Sequence, residues 1–299
     1  MIRRIPVILD TDIGTDIDDT WALAMMLRSP EIDTKLIVTD TGDTVFRAKL
    51  VAKFLECAGR ADIPVGVGIP FTPNGLVENQ RKWVEDYDLA DYPGPLHMDG
   101  VQSIIDTIMD SLQPVTLVCI GPVPNVAAAL ECEPEIAQHA HFVGMHGSIY
   151  KKYDGLPGTV AEYNVMQDVA ACQKVFDAPW LSCTITSLDT CGTVRLDEER
   201  YAKLASSPDP IVTAVLENYH IWGSNYDVAA SSILFDTVAI HLAYSRAYLK
   251  MEKMGIRFTD DGFTVPDADA LQMDVAIDWT DLDAFHNDLT KRLLGEVTE

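Results

Sequence analysis

Five aspartates fall within the ten residues from Asp10 to Asp19, in the run Val7-Ile8-Leu9-Asp10-Thr11-Asp12-Ile13-Gly14-Thr15-Asp16-Ile17-Asp18-Asp19. An apolar stretch ends in carboxylates, passes a glycine and enters the helical pattern Thr20-Trp21-Ala22-Leu23-Ala24-Met25-Met26-Leu27. Carboxylates packed this closely repel one another unless positive charge lies among them. Few basic residues are near in sequence, since Arg3 and Arg4 lie at the far end of the strand. A hard divalent cation such as Ca²⁺ or Mg²⁺, which prefers carboxylate and carbonyl oxygens, answers that repulsion.

Simpler explanations fall short. Capping and helix-dipole effects account for one or two aspartates at a helix start, not five. An EF-hand loop needs glycine at its sixth position and glutamate at its twelfth; counted from Asp10, these are Thr15 and Trp21. A phosphatase of the haloacid-dehalogenase type expects Thr or Val where Gly14 stands.

The remaining sequence reads as one α/β domain over residues 1–299, long enough to bury a large core. Apolar runs at Ile5–Asp10, Lys35–Thr39, Pro64–Val67, Val115–Ile120, His141–Met145 and Leu181–Ile185 read as buried strands. Helical patterns at Asp18–Arg28, Thr44–Ala58, Gly100–Leu112, Val123–Leu130 and Asp168–Phe176 alternate with them. That order predicts a mainly parallel central sheet with helices on both faces, whose ligands bind beyond the carboxyl ends of the strands. Pro208-Asp209-Pro210 opens a helix reaching about Tyr226, and the tail from Met251 reads as two strands and a terminal helix. The polar, aromatic stretch from Phe71 to His97 reads as a lid or an oligomer contact.

A net charge of −24 argues against nucleic acid or an anionic membrane surface as partner. No run of eighteen apolar residues is present, and the start of the chain passes into a strand without a signal-peptide core, so a cytoplasmic protein is expected. The six cysteines form no Cys-x-x-Cys pair and read as reduced core thiols.

The Asp10–Asp19 segment resembles the amino-terminal signature of the inosine–uridine nucleoside hydrolases, Asp-x-Asp-x-Gly-x-Asp-Asp before a helix. Two extra residues precede Asp18-Asp19 here, so Asp16 has no counterpart. Gly121-Pro122-Val123-Pro124-Asn125-Val126-Ala127 reads on its own as a tight loop entering a helix, with Asn125 as a cap. It resembles the family segment whose residue before Asn gives a carbonyl to calcium; that residue is Pro124, and proline keeps its carbonyl. Ala161-Glu162-Tyr163-Asn164 resembles the family's Ala-Glu-Phe-Asn, which implies that Glu162 and Asn164 hold sugar hydroxyls. A carboxylate and an amide together can grip a diol, accepting and donating. Asp168 reads as a helix cap. Leu234-Phe235-Asp236 before a small-residue helix resembles the family's last ligand segment, with Asp236 as ligand and Phe235 where a histidine usually stands.

The resemblance implies a Rossmann-like nucleoside hydrolase fold and one Ca²⁺ per subunit, held by Asp12, Asp19, Asp236 and the Pro124 carbonyl. It implies hydrolysis of the N-glycosidic bond of a ribonucleoside, with Asp12 as general base and Asp18, Glu162, Asn164 and Asp236 on the sugar. The group that protonates the leaving base is open: His220, Trp222 and Tyr226 lie on the helical run before Asp236, and His97 sits on a loop at the same rim. Trp83, Tyr87 and Tyr92 either stack on a base or pack a lid. Relatives of this kind form dimers or tetramers. Phe235 and Asp43, the latter where the family often has Asn, also fit a hydrolase of modified or unusual nucleosides, and Phe235 fits a non-catalytic, metal-dependent ribose-binding protein.

Overall fold

A computed structural model gives the fold and describes residues 4–71, 77–223 and 229–297. Strand β1 (Ile5–Thr11) leads into helix α1 (Asp18–Leu27), then β2 (Ile32–Thr39), α2 (Thr44–Cys57), β3 (Val65–Val67), the short β4 (Leu96–His97) and α3 (Gly100–Met109). There follow β5 (Val115–Cys119), α4 (Pro124–Cys132), β6 (Ala140–Met145), α5 (Tyr163–Gln167), α6 (Val169–Phe176) and β7 (Ser182–Thr186). The last part comprises α7 (Glu198–Ala205), α8 (Pro210–Trp222), α9 (Thr237–Leu242), β8 (Leu249–Phe258), β9 (Thr264–Pro266), β10 (Gln272–Trp279) and α10 (Leu282–Leu293).

The described strands form a sheet in the order β4-β3-β2-β1-β5-β6-β7-β10-β8-β9. It is parallel from β4 through β10, and β8 and β9 extend it as an antiparallel edge. The chain winds outward from β1 through β2 and β3, then returns to β1's other side with β5. Beyond the carboxyl ends of β1 and β5 lies the switch point where such sheets open a crevice.

β1 is buried on both faces, as a central parallel strand must be. Its Val7 and Leu9 enter one apolar layer with α1, α2, α8 and α9, while Ile8 enters the opposite layer with α3, α4 and α6. Helix α1 is buried from Asp18 to Met26 and packs on α8, α9 and α10. Its carboxylates are thereby carried inside the protein.

Three expectations need correction. The tail holds three strands, because the residues beyond β8 turn back as the short β9 arm before β10. In the described part of Phe71–His97, Trp83, Leu89 and Tyr92 do not reach the cleft described below but are buried in the α2 layer, and Trp83 donates its indole N–H to Glu217 at 3.0 Å. Among the cysteines, Cys119, Cys172 and Cys191 are buried, whereas Cys57 and Cys132 are exposed; all six are free. Among the described residues no helix is long and apolar enough to cross a membrane.

Candidate active site

Most helix-starting aspartates in this acidic chain are spent on backbone. Asp43, Asp99, Asp168, Asp197, Asp209 and Asp281 each accept an N–H from the first turn of the helix that follows. Asp43 is further paired with Arg81. The aspartates at the starts of α1 and α9 behave differently. Neither Asp18 and Asp19 nor Asp236 provides a side-chain cap to its helix. All three are buried, and a carboxylate oxygen from each lies within 4.8 Å of the others. Asp18 and Asp19 follow β1, whereas Asp236 comes from more than two hundred residues later, so the sheet and α1–α9 packing bring them together.

The turn between β1 and α1 is tightly held. Thr11 donates its hydroxyl to Asp19 Oδ1 at 2.5 Å and accepts the Ile13 N–H at 3.1 Å. Gly14 takes φ +115°, and a Cβ there would sit 2.8 Å from Leu50 Cδ1 and 2.9 Å from Phe46 Cε1. The same helix, α2, supplies a buried cation that the linear sequence conceals. Arg47 donates to the carbonyls of Asp12 and Ile13, to the carbonyl of Thr41 at 2.7 Å, and to Thr15 Oγ1 at 2.8 Å. The sign that exposes Arg47 in the sequence is its place inside the otherwise apolar stripe Phe46-Ala48-Leu50-Val51.

These residues border a cleft of about 220 Å³ lined by Asp12, Thr15, Asp16, Asp18, Asp19, Ile120, Met145, Tyr153, Glu162, Tyr163, Asn164, Phe235 and Asp236. Glu162 caps α5, accepting from Asn164 N at 2.9 Å, Gly147 N at 3.0 Å and Val165 N at 3.3 Å. Asn164 donates both amide hydrogens to carbonyls at the ends of neighbouring strands, Ile120 O at 3.1 Å and Met145 O at 3.0 Å. Its oxygen alone is left for a ligand, so Asn164 accepts where both accepting and donating were expected. Asp168 is the N-cap of α6, as expected.

Burial and mutual repulsion push the carboxyls of Asp18, Asp19 and Asp236 far above the usual range. Asp12 is also raised, chiefly by burial, with Arg47 opposing. Glu162 is pushed up to about 7 by burial, against three backbone hydrogen bonds. The sequence reading missed Asp40, which follows β2 and is buried. A Cβ on Gly121 would meet both Asp12 Oδ1 at 2.8 Å and Asp40 Oδ2 at 2.9 Å. The loop before Pro124 therefore lies hard against both carboxylates. Pro124 is buried in the first turn of α4. Asn125 is not a cap: its amide donates to Asp10 Oδ1 at 2.8 Å and Thr39 O at 3.1 Å, and accepts from Ile69 N at 2.8 Å, tying β1 to β2.

The donor set suits a hard divalent cation: the carboxylates are buried, share one small volume, and the nearest guanidinium is spent on backbone carbonyls. The base side is arranged otherwise than the sequence suggested. His97 is exposed on the edge strand β4, and His220 is exposed near the end of α8 with Tyr201 Oη 3.4 Å away. Trp222 stacks on Tyr219, with ring centroids 5.8 Å apart. None of these three lines the cleft, because α8 presents its apolar face to α1 and leaves His220 outside. Tyr226 lies outside the described residues. Phe235 does line the cleft, meeting Tyr153 edge-on.

The family model for inosine-uridine preferring nucleoside hydrolase matches residues 7–287. The non-specific ribonucleoside hydrolase RihC of Klebsiella pneumoniae is 32% identical over 209 residues, 67% of each chain. The pyrimidine-specific ribonucleoside hydrolase RihA of Escherichia coli is 29% identical over 224 residues, 71% of this chain and 70% of that one. The fold matches a plant nucleoside hydrolase with TM-score 0.83 at 21% identity, covering 97% of this chain and 99% of the other. An inosine-uridine preferring nucleoside hydrolase from Bacillus anthracis matches with TM-score 0.79 at 17% identity and the same coverage.

Proposed function

Because the chain belongs to the inosine-uridine preferring nucleoside hydrolase family, we propose that its cleft hydrolyses the N-glycosidic bond of a ribonucleoside, releasing ribose and the free base. The observation that carries this reading is the meeting of Asp18, Asp19 and Asp236 in one cleft with Glu162 and Asn164. Asp12, Asp19 and Asp236, with the Pro124 carbonyl, would hold a Ca²⁺ ion. When bound, the ion neutralises the carboxylates, gathers the sugar hydroxyls and makes a water molecule more acidic.

Asp12 takes the proton of the attacking water, its backbone fixed by Arg47 so that its carboxylate is presented to the cleft. Asp18 and Glu162 accept from ribose hydroxyls, and the Asn164 oxygen accepts from another. As the C1′–N bond stretches, positive charge grows on the sugar ring, and the surrounding carboxylates favour it electrostatically. The substrate is a small nucleoside, in keeping with the size of the cleft and the acidic surface.

A reducing-sugar assay over a nucleoside panel, with and without chelator, tests the reading. Chelator-sensitive ribose release that falls by orders of magnitude in Asp12→Ala is expected. Near-normal turnover of Asp12→Ala would refute the role given to that residue. Tight nucleoside binding without any release would identify a binding protein instead.

A further inference from the structure

When a C1′–N bond breaks, its electron pair leaves with the base nitrogen. In a cleft walled by carboxylates that negative charge is unwelcome unless a hydrogen-bond donor meets it. Among the described lining residues, the uncharged groups that carry a side-chain hydroxyl are Thr15, Tyr153 and Tyr163. Thr15 Oγ1 accepts from Arg47 within the acidic turn, and of the two tyrosines Tyr153 is the one whose ring meets Phe235 beside Asp236.

Tyr153 is held from two directions. Its hydroxyl oxygen accepts the Tyr163 backbone N–H at 3.3 Å, beside Glu162 and Asn164. Its ring meets Phe235 edge-on, with centroids 6.0 Å apart and planes at 89°. The two contacts lie on separate chain segments, one at the start of α5 and one beside Asp236, and the ring lines the cleft they border. Because the oxygen accepts from Tyr163, the phenolic proton is left for the cleft that the ring lines. Burial and the neighbouring Glu162 raise this phenol above its ordinary range, so it stays neutral and keeps that proton to share.

Resting on the nucleoside-hydrolase reading above, we propose that Tyr153 donates the hydrogen bond that stabilises the departing base, with Phe235 orienting its ring. The balance is simple. The C1′–N electron pair goes to the base nitrogen, the water oxygen bonds to C1′, and the water's proton passes to Asp12. Tyr153 keeps its proton while sharing it with the base anion, which is then protonated by solvent. No residue has to deliver a proton to the base, consistent with a cleft that no histidine lines among the described residues.

Tyr153→Phe keeps the ring and its contact with Phe235 but removes the hydroxyl. Turnover of uridine and inosine is compared with that of p-nitrophenyl β-D-ribofuranoside, whose nitrophenolate departs without assistance. The loss on the nucleosides should exceed the loss on the aryl riboside by on the order of 10²-fold, the usual effect of removing one such donor. Hydrolysis of the aryl riboside by the variant also shows that it is folded. Equal losses on both substrates, or no loss on either, would overturn the assignment of Tyr153. A native chain that releases ribose from neither the nucleosides nor the aryl riboside would overturn the hydrolase reading itself.

Discussion

The guanidinium of Arg47 donates to the backbone carbonyl of Asp12 and leaves the carboxylate of Asp12 to the cleft. The buried arginine thus holds the acidic turn in place without discharging it. An arginine paired directly with these aspartates would stabilise the empty cleft and compete with a cation for the same oxygens.

Replacing Arg47 with methionine keeps much of its length but strands the carbonyls of Thr41, Asp12 and Ile13 in the interior. A loss on the order of 3 kcal/mol or more in unfolding free energy is expected, since each buried acceptor left unpaired costs about 1–3 kcal/mol. Urea denaturation measures it. A change within about 0.5 kcal/mol would mean that these carbonyls find other partners.

The raised carboxyls predict how stability varies with pH when divalent cations are absent. Asp10 is pushed from about 3.8 to about 7, mainly by burial, and Glu162 from 4.5 to about 7. Between the unfolded and folded values the native state holds more protons than the unfolded chain, so raising the pH favours unfolding. Stability in chelator should therefore be highest near pH 4–5 and fall as pH rises toward 7. Added Ca²⁺ should restore it, more strongly at the higher pH. Thermal melts with chelator and with Ca²⁺ test this; a chelated protein that grows more stable from pH 5 to 7 would contradict it.

Asp236→Asn separates stability from activity. The amide removes a carboxyl that burial and its neighbours Asp18 and Asp19 hold far from its ordinary range, and with it the cost of ionising or protonating it there, which should raise the melting temperature in chelator. It also weakens the cation's donor set, so turnover should drop by on the order of 10²–10³-fold, the loss of several kcal/mol of transition-state stabilisation. Melting curves and ribose release on one preparation give both readouts, and a variant less stable than the parent in chelator would count against the repulsion argument.

Gly14 cannot take a side chain cheaply. Alanine there would adopt a left-handed φ of +115° and place its methyl 2.8 Å from Leu50 Cδ1. Backbone strain of this kind costs about 1–3 kcal/mol. Relief requires the turn to move off α2 and carry Asp12 with it. Gly14→Ala should therefore weaken Ca²⁺ affinity in calorimetric titration by at least about tenfold. Affinity equal to the parent's would mean that the turn accommodates the methyl without moving Asp12.

The parallel sheet, most of its helices and the acidic turn are legible in the linear sequence because they rest on local periodicity and close spacing. Alternating apolar runs and helical stripes name their own elements, and carboxylates crowded between a strand and a helix state their own electrostatic problem. Asp236, Glu162 and Asn164 were found by resemblance to family motifs, since no local rule links them to the first strand. Tertiary structure alone decided which donors remain free once the backbone is satisfied. Asn164 spends its N–H groups on Ile120 and Met145, Asn125 ties two strands together, and Arg47 serves carbonyls contributed by distant turns. The same holds for His97 and His220, which chain position suggested for the cleft and packing leaves exposed outside its lining. Hydrogen-bond satisfaction and the facing of a helix depend on partners far away in sequence, and those partners are chosen only when the layers close on one another.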